Sequence, residues 1–150
     1  MKKIILIAVV SLFSNILNAQ LIKKVNAGAV LATVAETSFS GSSKPFTVNQ
    51  NLLADVTFIT EKTFHKVMYG FGNNSLVSLN GYFLKKNWDV YGVFAKSLNS
   101  KGKYLGVGVE KMEKVGNIKI FEFCELGTTF QGKPILSFGI LINASWSLKK

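Results

Sequence analysis

Beyond Gln20, apolar side chains recur at every second position through most of this chain. The pattern is clearest in PILSFGILINASWSLKK, residues 134–150. Pro134, Leu136, Phe138, Ile140, Ile142, Ala144, Trp146 and Leu148 interleave with Ile135, Ser137, Gly139, Leu141, Asn143, Ser145 and Ser147. A β-strand places two such sets on opposite faces. Seven more segments of period two precede it, rich in Val, Ile, Phe, Thr and Tyr: about 27–37, 49–60, 62–71, 75–84, 88–97, 103–111 and 117–126. Clusters of Gly, Asn, Ser and Lys separate them, as turns require. Apolar spacing of three and four never persists, so no amphipathic helix is expected. Eight sequential strands in one domain predict an all-β fold, either an eight-stranded antiparallel up-and-down β-barrel or a sandwich. Closure is favoured because it leaves no strand edge unpaired.

What the apolar faces touch decides between a protein core and a lipid bilayer. The opposite faces carry many small residues, among them Ser78, Asn80, Gly106, Gly108, Ser137, Gly139, Asn143 and Ser145. Isolated charges sit among them. A narrow barrel interior has room for such residues and for a few ions that pair with one another. Asp55, Lys66, Glu110 and Glu122 are the candidates for this interior polar network. Segments 75–84 and 103–111 would then turn Val77, Leu79, Gly81 and Phe83, and Leu105, Val107 and Val109, outward. The face of 117–126 is ambiguous, with Phe121 and Phe123 opposing Ile118, Ile120, Glu122 and Cys124. Segment lengths match the 9–11 residues or so of a tilted spanning strand.

Aromatic residues fall near segment ends. Strands that run alternately up and down bring Phe83, Trp88 and Trp146 to one rim, and Phe39, Tyr69, Phe71 and Tyr104 to the other. Rings at both water–lipid boundaries form the girdles of a transmembrane barrel. The pairs Lys23-Lys24, Lys85-Lys86 and Lys149-Lys150, with Lys114, gather at the first rim, where long cationic side chains reach phosphate headgroups. Lys96 and Lys111 fall on the outward set but near segment ends, where a charge costs roughly 0–1 kcal/mol in lipid.

Residues 1–19 have the layout of a secretory signal peptide: a basic start, a short apolar run from Ile4 to Phe13, and Leu17-Asn18-Ala19 before Gln20. The run is short of the roughly 20 residues a spanning helix needs. Residues 20–150 then form a single β-barrel domain, exported by a bacterium. One cysteine, Cys124, excludes an internal disulfide and a zinc-ribbon site; it is expected to be a buried small residue. The net charge is +10, and all eighteen cationic residues are Lys. Without arginine forks or basic stripes, nucleic acid is not the expected partner. Anionic lipid headgroups or cell-wall material suit the compartment better.

A signal peptide, eight alternating segments with Gly and Ser on one face, and a terminal amphipathic segment containing Trp146 resemble the small outer-membrane β-barrels of the OmpA/OmpX type. The likeness spans about 27–148 and is one of pattern. It implies an outer-membrane location and a structural or surface-interaction role without enzymatic activity. Its long polar connections, such as 38–48 and 127–133, would be turned outward to a surface ligand. The chain departs from the family at Ser147-Leu148-Lys149-Lys150, where members commonly finish on an aromatic residue. Some barrels of this size are lipid A acylases or deacylases with a His and a Ser near the outer rim. His65 is the only histidine here, lies toward the inner rim, and has no catalytic signature around it. GVGVE (106–110) lacks the pattern of a nucleotide site. No cofactor or metal is implied, and side chains are expected to plug the lumen with small and polar groups. The competing expectation is a soluble exported protein, a lipocalin-like barrel or β-sandwich, whose apolar faces line a pocket for a hydrophobic ligand.

Overall fold

In a computed structural model the described residues are 22–38, 46–85 and 87–149. The signal-peptide segment 1–19, Phe39, Lys86, Lys150 and most of the 38–48 connection lie outside them. The chain forms eight strands: β1 (Lys24–Ser38), β2 (Thr47–Ile59), β3 (Thr63–Gly70), β4 (Ser75–Phe83), β5 (Trp88–Ser97), β6 (Lys103–Val115), β7 (Ile118–Thr129) and β8 (Pro134–Lys149). Each pairs antiparallel with its sequence neighbour, and β8 pairs with β1, so the sheet is a closed up-and-down barrel. A register shift between Val25 and Asn26 adjusts the seam where it closes. No helix occurs among the described residues.

We call the rim where β1 begins and β8 ends the terminal rim, and the opposite one the far rim. Connections at the terminal rim are short: residues 60–62, 84–87 and 116–117. Those at the far rim are 39–46, 71–74, 98–102 and 130–133. The tightest, at 116–117, is a two-residue turn closed by the pair Val115 and Ile118, with Gly116 at φ +61°. A positive φ at the first central position is what a II′ hairpin needs, and glycine adopts it without strain. β6 runs on to this turn, ending at Val115 rather than 111, and β7 extends at its other end, to Thr129 rather than 126. Gly127–Thr129, taken from sequence as part of a long connection, instead pair with Tyr104–Gly106.

The two faces of this sheet are chemically unlike. In β8, Phe138, Ile140 and Ile142 point outward and are 42%, 47% and 42% exposed, while Ser137 and Asn143 point into the lumen and are each 3% exposed. The same sense holds in β2, β3, β5 and β6. Among the described residues, 26 large apolar side chains are exposed and ten apolar ones are buried. A soluble single domain inverts that ratio.

Two strands depart from the expected facing. In β4, Leu79, Val77 and Gly81 face the lumen, and Ser78 and Asn80 face out. Cross-strand partners share a face, and β4 is registered on β3 by Gly70–Ser75, Met68–Val77, Lys66–Leu79 and Phe64–Gly81. Since Lys66 must be inside, so must Leu79. In β7, Phe121 and Glu125 are buried and Phe123 is half-buried on the lumen face, leaving Glu122 and Cys124 outward and exposed. Glu122 is therefore not part of an interior network. Cys124 is not a buried residue either.

The interior is also less polar than expected. Val30, Leu53, Phe64, Met68, Leu79, Val93, Phe121 and Leu141 form a central apolar layer. Rings are seated on glycines of the same or the next strand. Tyr91 lies over its pair partner Gly108, where a Cβ would come within 2.6 Å of the phenol, and Tyr104 lies over Gly106 and Gly127. A side chain at Gly108 would have no room.

Candidate functional site: a two-level lumen

The lumen holds five of the chain's eight acidic residues, namely Glu36, Asp55, Asp89, Glu110 and Glu125, and two lysines, Lys66 and Lys119. The other lysines among the described residues lie on the exterior or at the rims, so the described charge is sorted radially.

The level toward the terminal rim is filled. Asp89 on β5 and Glu110 on β6 are direct cross-strand partners, both buried. Two carboxylates placed so repel one another unless a cation intervenes. Lys66, 4% exposed on β3, is buried at the same level and lines the same space as both, with neither carboxylate within 4.0 Å of its Nζ. Its Nζ sits 4.5 Å from the centroid of the Phe121 ring and 6.0 Å from that of Phe64, a cation–π geometry. Asp55 accepts hydrogen bonds from Thr57 Oγ1 (3.0 Å) and Asn143 Nδ2 (3.3 Å). The remaining space here is ≈ 40 Å³, room for a few water molecules at most.

The level toward the far rim is a cup of ≈ 400 Å³. Its walls rise to the rim at Asn73, Gly102 and Thr129, and its floor is Glu110 with Leu79 and Leu141. Apolar side chains such as Leu53, Met68, Val93 and Phe123 line most of it. Tyr91, Tyr104 and Glu125 line it together. Tyr104 Oη and Glu110 Oε2 are buried without a protein atom in hydrogen-bonding geometry.

Of the four residues read as an interior network, Asp55, Lys66 and Glu110 share the lower level, and Glu122 does not. Glu122 pairs across the outer face with Lys111, whose Nζ is 2.7 Å from Glu113 Oε1. Sequence reading missed Asp89, Glu125, Glu36, Tyr91 and Lys119. Asp89 was detectable, since it alternates with the outward Trp88 and Val90. Glu125 was hidden by the ambiguous face of its strand.

The aromatic candidates divide as well. Tyr69 and Phe71 meet edge to face on the outside at the far rim, with centroids 5.2 Å apart, and Tyr69 Oη donates to Asn74 Oδ1 at 2.7 Å. Trp88 and Trp146 are exposed at the terminal rim, where Tyr82 joins them; Phe46 and Phe130 extend the far group. Tyr104 does not belong to this outer set, because glycines open space for its ring inside. Phe83 shares the lumen-facing set of β4 and packs on the buried Phe64, centroids 5.4 Å apart. Its ring closes the mouth at the terminal rim rather than standing on the outer surface. His65 points outward near that rim, bonded through Nδ1 to Asn80 Oδ1 and stacked on Phe58. Lys23, Lys24, Lys62, Lys85 and Lys114 surround the terminal rim, with Lys23 bridged to Glu61 at 3.7 Å.

The barrel class is thus defined by geometry: closed, eight-stranded, antiparallel, apolar outside, with a partly filled lumen. No family model matches the chain, and no curated protein matches it. Among solved structures it is similar to a chain from the de novo design of transmembrane β-barrels, at 14% identity and a TM-score of 0.44, over 77% of this chain and 94% of that one. A likeness at that score adds nothing to the barrel already described.

Proposed function

We propose that this chain is a membrane-spanning β-barrel of a bacterial outer membrane, exported by its N-terminal segment, with a structural or surface-interaction role and no enzymatic activity. The observation that carries the reading is the outer wall. Leu31, Leu52, Val56, Leu76, Val90, Leu105, Val107, Val109, Leu126, Ile140 and Ile142 are all exposed on it, between rings at either rim. Contact with acyl chains accounts for such a surface and contact with water does not. The alternative, a soluble lipocalin-like protein, needs its greasy faces inside, and they are outside.

Short turns at the terminal rim and longer connections at the far rim follow the periplasm-to-exterior asymmetry of outer-membrane barrels. In that orientation the lysines of the terminal rim meet anionic headgroups on the inner side, and the cup opens to the exterior. The filled lower level keeps such a barrel from conducting. Cell fractionation tests the reading. The chain should sediment with outer-membrane vesicles, resist alkaline or urea extraction, require detergent for release, and migrate differently on gels before and after heating. Recovery in the periplasm or medium without detergent would sink it.

A further inference from the structure

We propose that the far-rim cup binds an organic cation with an apolar body, an alkylammonium, whose head is taken by the carboxylates of Glu110 and Glu125 beside the rings of Tyr91 and Tyr104. Size permits it, since ≈ 400 Å³ falls within the range of small-molecule sites. Wall chemistry asks for an apolar body, because Leu53, Met68, Val93 and Phe123 surround the space.

Charge selects the head group. Glu110 is only 1% exposed, lies at the floor of the cup, and its Oε2 has no partner in the protein. An unmade hydrogen bond on a buried charged group is costly, and a donor that arrives with its own positive charge removes the cost. The lower level sets the two cations of Lys66 and Lys119 against the three carboxylates of Asp55, Asp89 and Glu110, and Lys66 Nζ lies within 4.0 Å of none of them. Among the described residues, no lysine on the lumen face stands beside Glu125, nine-tenths buried, or Glu36 higher on the wall of the cup. The two lysines at its mouth, Lys96 and Lys103, stand on the outward-facing set, and Lys103 Nζ rests over Phe130 outside, 5.3 Å from the ring centroid. A neutral guest could donate a hydrogen bond to Glu110 Oε2 but would bring no charge to it, and an anion would face three carboxylates. Faces of Tyr91 and Tyr104 suit an ammonium by cation–π attraction. A bare divalent ion fits poorly: it wants several oxygen ligands at once, and no group of three candidate ligands converges among the described residues.

The test uses the chain purified from whichever cell fraction holds it, in a non-ionic detergent, so it does not depend on membrane residence. Titration calorimetry with n-butylammonium, against micelle-only blanks, should show saturable binding. Butanol and butyrate, of matched length, should bind at least about tenfold more weakly, the loss expected when one charged contact worth a tenfold factor is missing. Glu110→Gln and Glu125→Gln should each weaken butylammonium by a similar factor, and the outer-face Glu122→Gln should leave it unchanged. Heat-dependent gel mobility checks the fold of each variant. Ala95→Phe fills the cup without touching a carboxylate, so binding must be lost there even if a Glu variant fails to fold. Equal affinity for butanol, undiminished binding by folded Glu110→Gln and Glu125→Gln, or binding retained by Ala95→Phe would each overturn the proposal.

Discussion

β8 and β4 sit in the same barrel and obey opposite rules. Along β8, apolar residues face out and Ser137 and Asn143 face in. Along β4, Leu79 is buried in the lumen and Ser78 and Asn80 look outward. The difference lies in the neighbours. β8 meets β1, where Asn143 faces Val30 and Leu141 faces Ala32, so the inner face of β8 is polar beside the larger neighbour and apolar beside the smaller one. β4 meets β3, whose inward residues include Lys66 and Met68. A long lysine stem needs apolar company along its length, and Leu79, its direct partner, supplies it. A strand's inner face is thus fitted to what the adjacent strand already puts inside.

The largest effect is expected at the residue that sets β4's facing. Lys66→Met leaves Asp89 and Glu110 opposed without their shared cation, and breaking a buried ionic arrangement from one side costs about 3–5 kcal/mol. Urea-dependent unfolding in lipid vesicles, followed by tryptophan fluorescence, should show that loss, and pairing Lys66→Met with Glu110→Gln should recover part of it. A near-neutral single variant would mean that Lys66 does not hold the carboxylate pair. Next comes Leu79→Ala, which removes a buried side chain from the central layer and should cost about 2–5 kcal/mol. Were Leu79 in lipid, as alternation alone suggests, the cavity contribution would be absent and the cost smaller.

Ile140→Lys probes the well-behaved strand in the same way. In the middle of a lipid-facing wall it should destabilise by about 2–4 kcal/mol. On a watered surface the same change would fall within about ±0.5 kcal/mol. Folding yield into vesicles against unfolding free energy in detergent reads the difference, and a neutral result in lipid would remove the bilayer from the account.

Strand positions were legible because turns are chemically marked and because period two is hard to mistake over nine or more residues. The barrel order and the facing of β2, β3, β5, β6 and β8 follow from the same marks. Facing failed for two different reasons. In β4 the more apolar set, Val77, Leu79, Gly81 and Phe83, is the one turned inward, against the rule that held elsewhere; in β7 both sets carry large apolar residues. The missing information was present in the hairpins. Val115 and Ile118 bracket Gly116-Asn117, so Glu110 and Phe123 must share a face, and Glu122 must lie on the other. Propagating one secure facing from strand to strand through such closing pairs places Leu79, Glu122 and Cys124 correctly. The cup itself was not legible. It depends on Tyr91 folding onto Gly108 of the adjacent strand and Tyr104 onto Gly106 and Gly127, a cross-strand fit that alternation within a single strand does not encode.

Ser78→Leu is the smallest predicted effect and the one whose sign discriminates. Ser78 stands on the outer face of β4 between its cross-strand partners Val67 and Phe94. A leucine there completes an apolar row, and a favourable cross-strand pair is worth roughly 0.2–1 kcal/mol. In vesicles the variant should therefore be slightly more stable than the parent. If Ser78 instead faced the lumen, leucine would be forced against the central layer, and overpacking a filled interior typically costs about 1–3 kcal/mol. A gain places β4's polar residues against lipid, where nothing in their chemistry would have put them and only the register with β3 does.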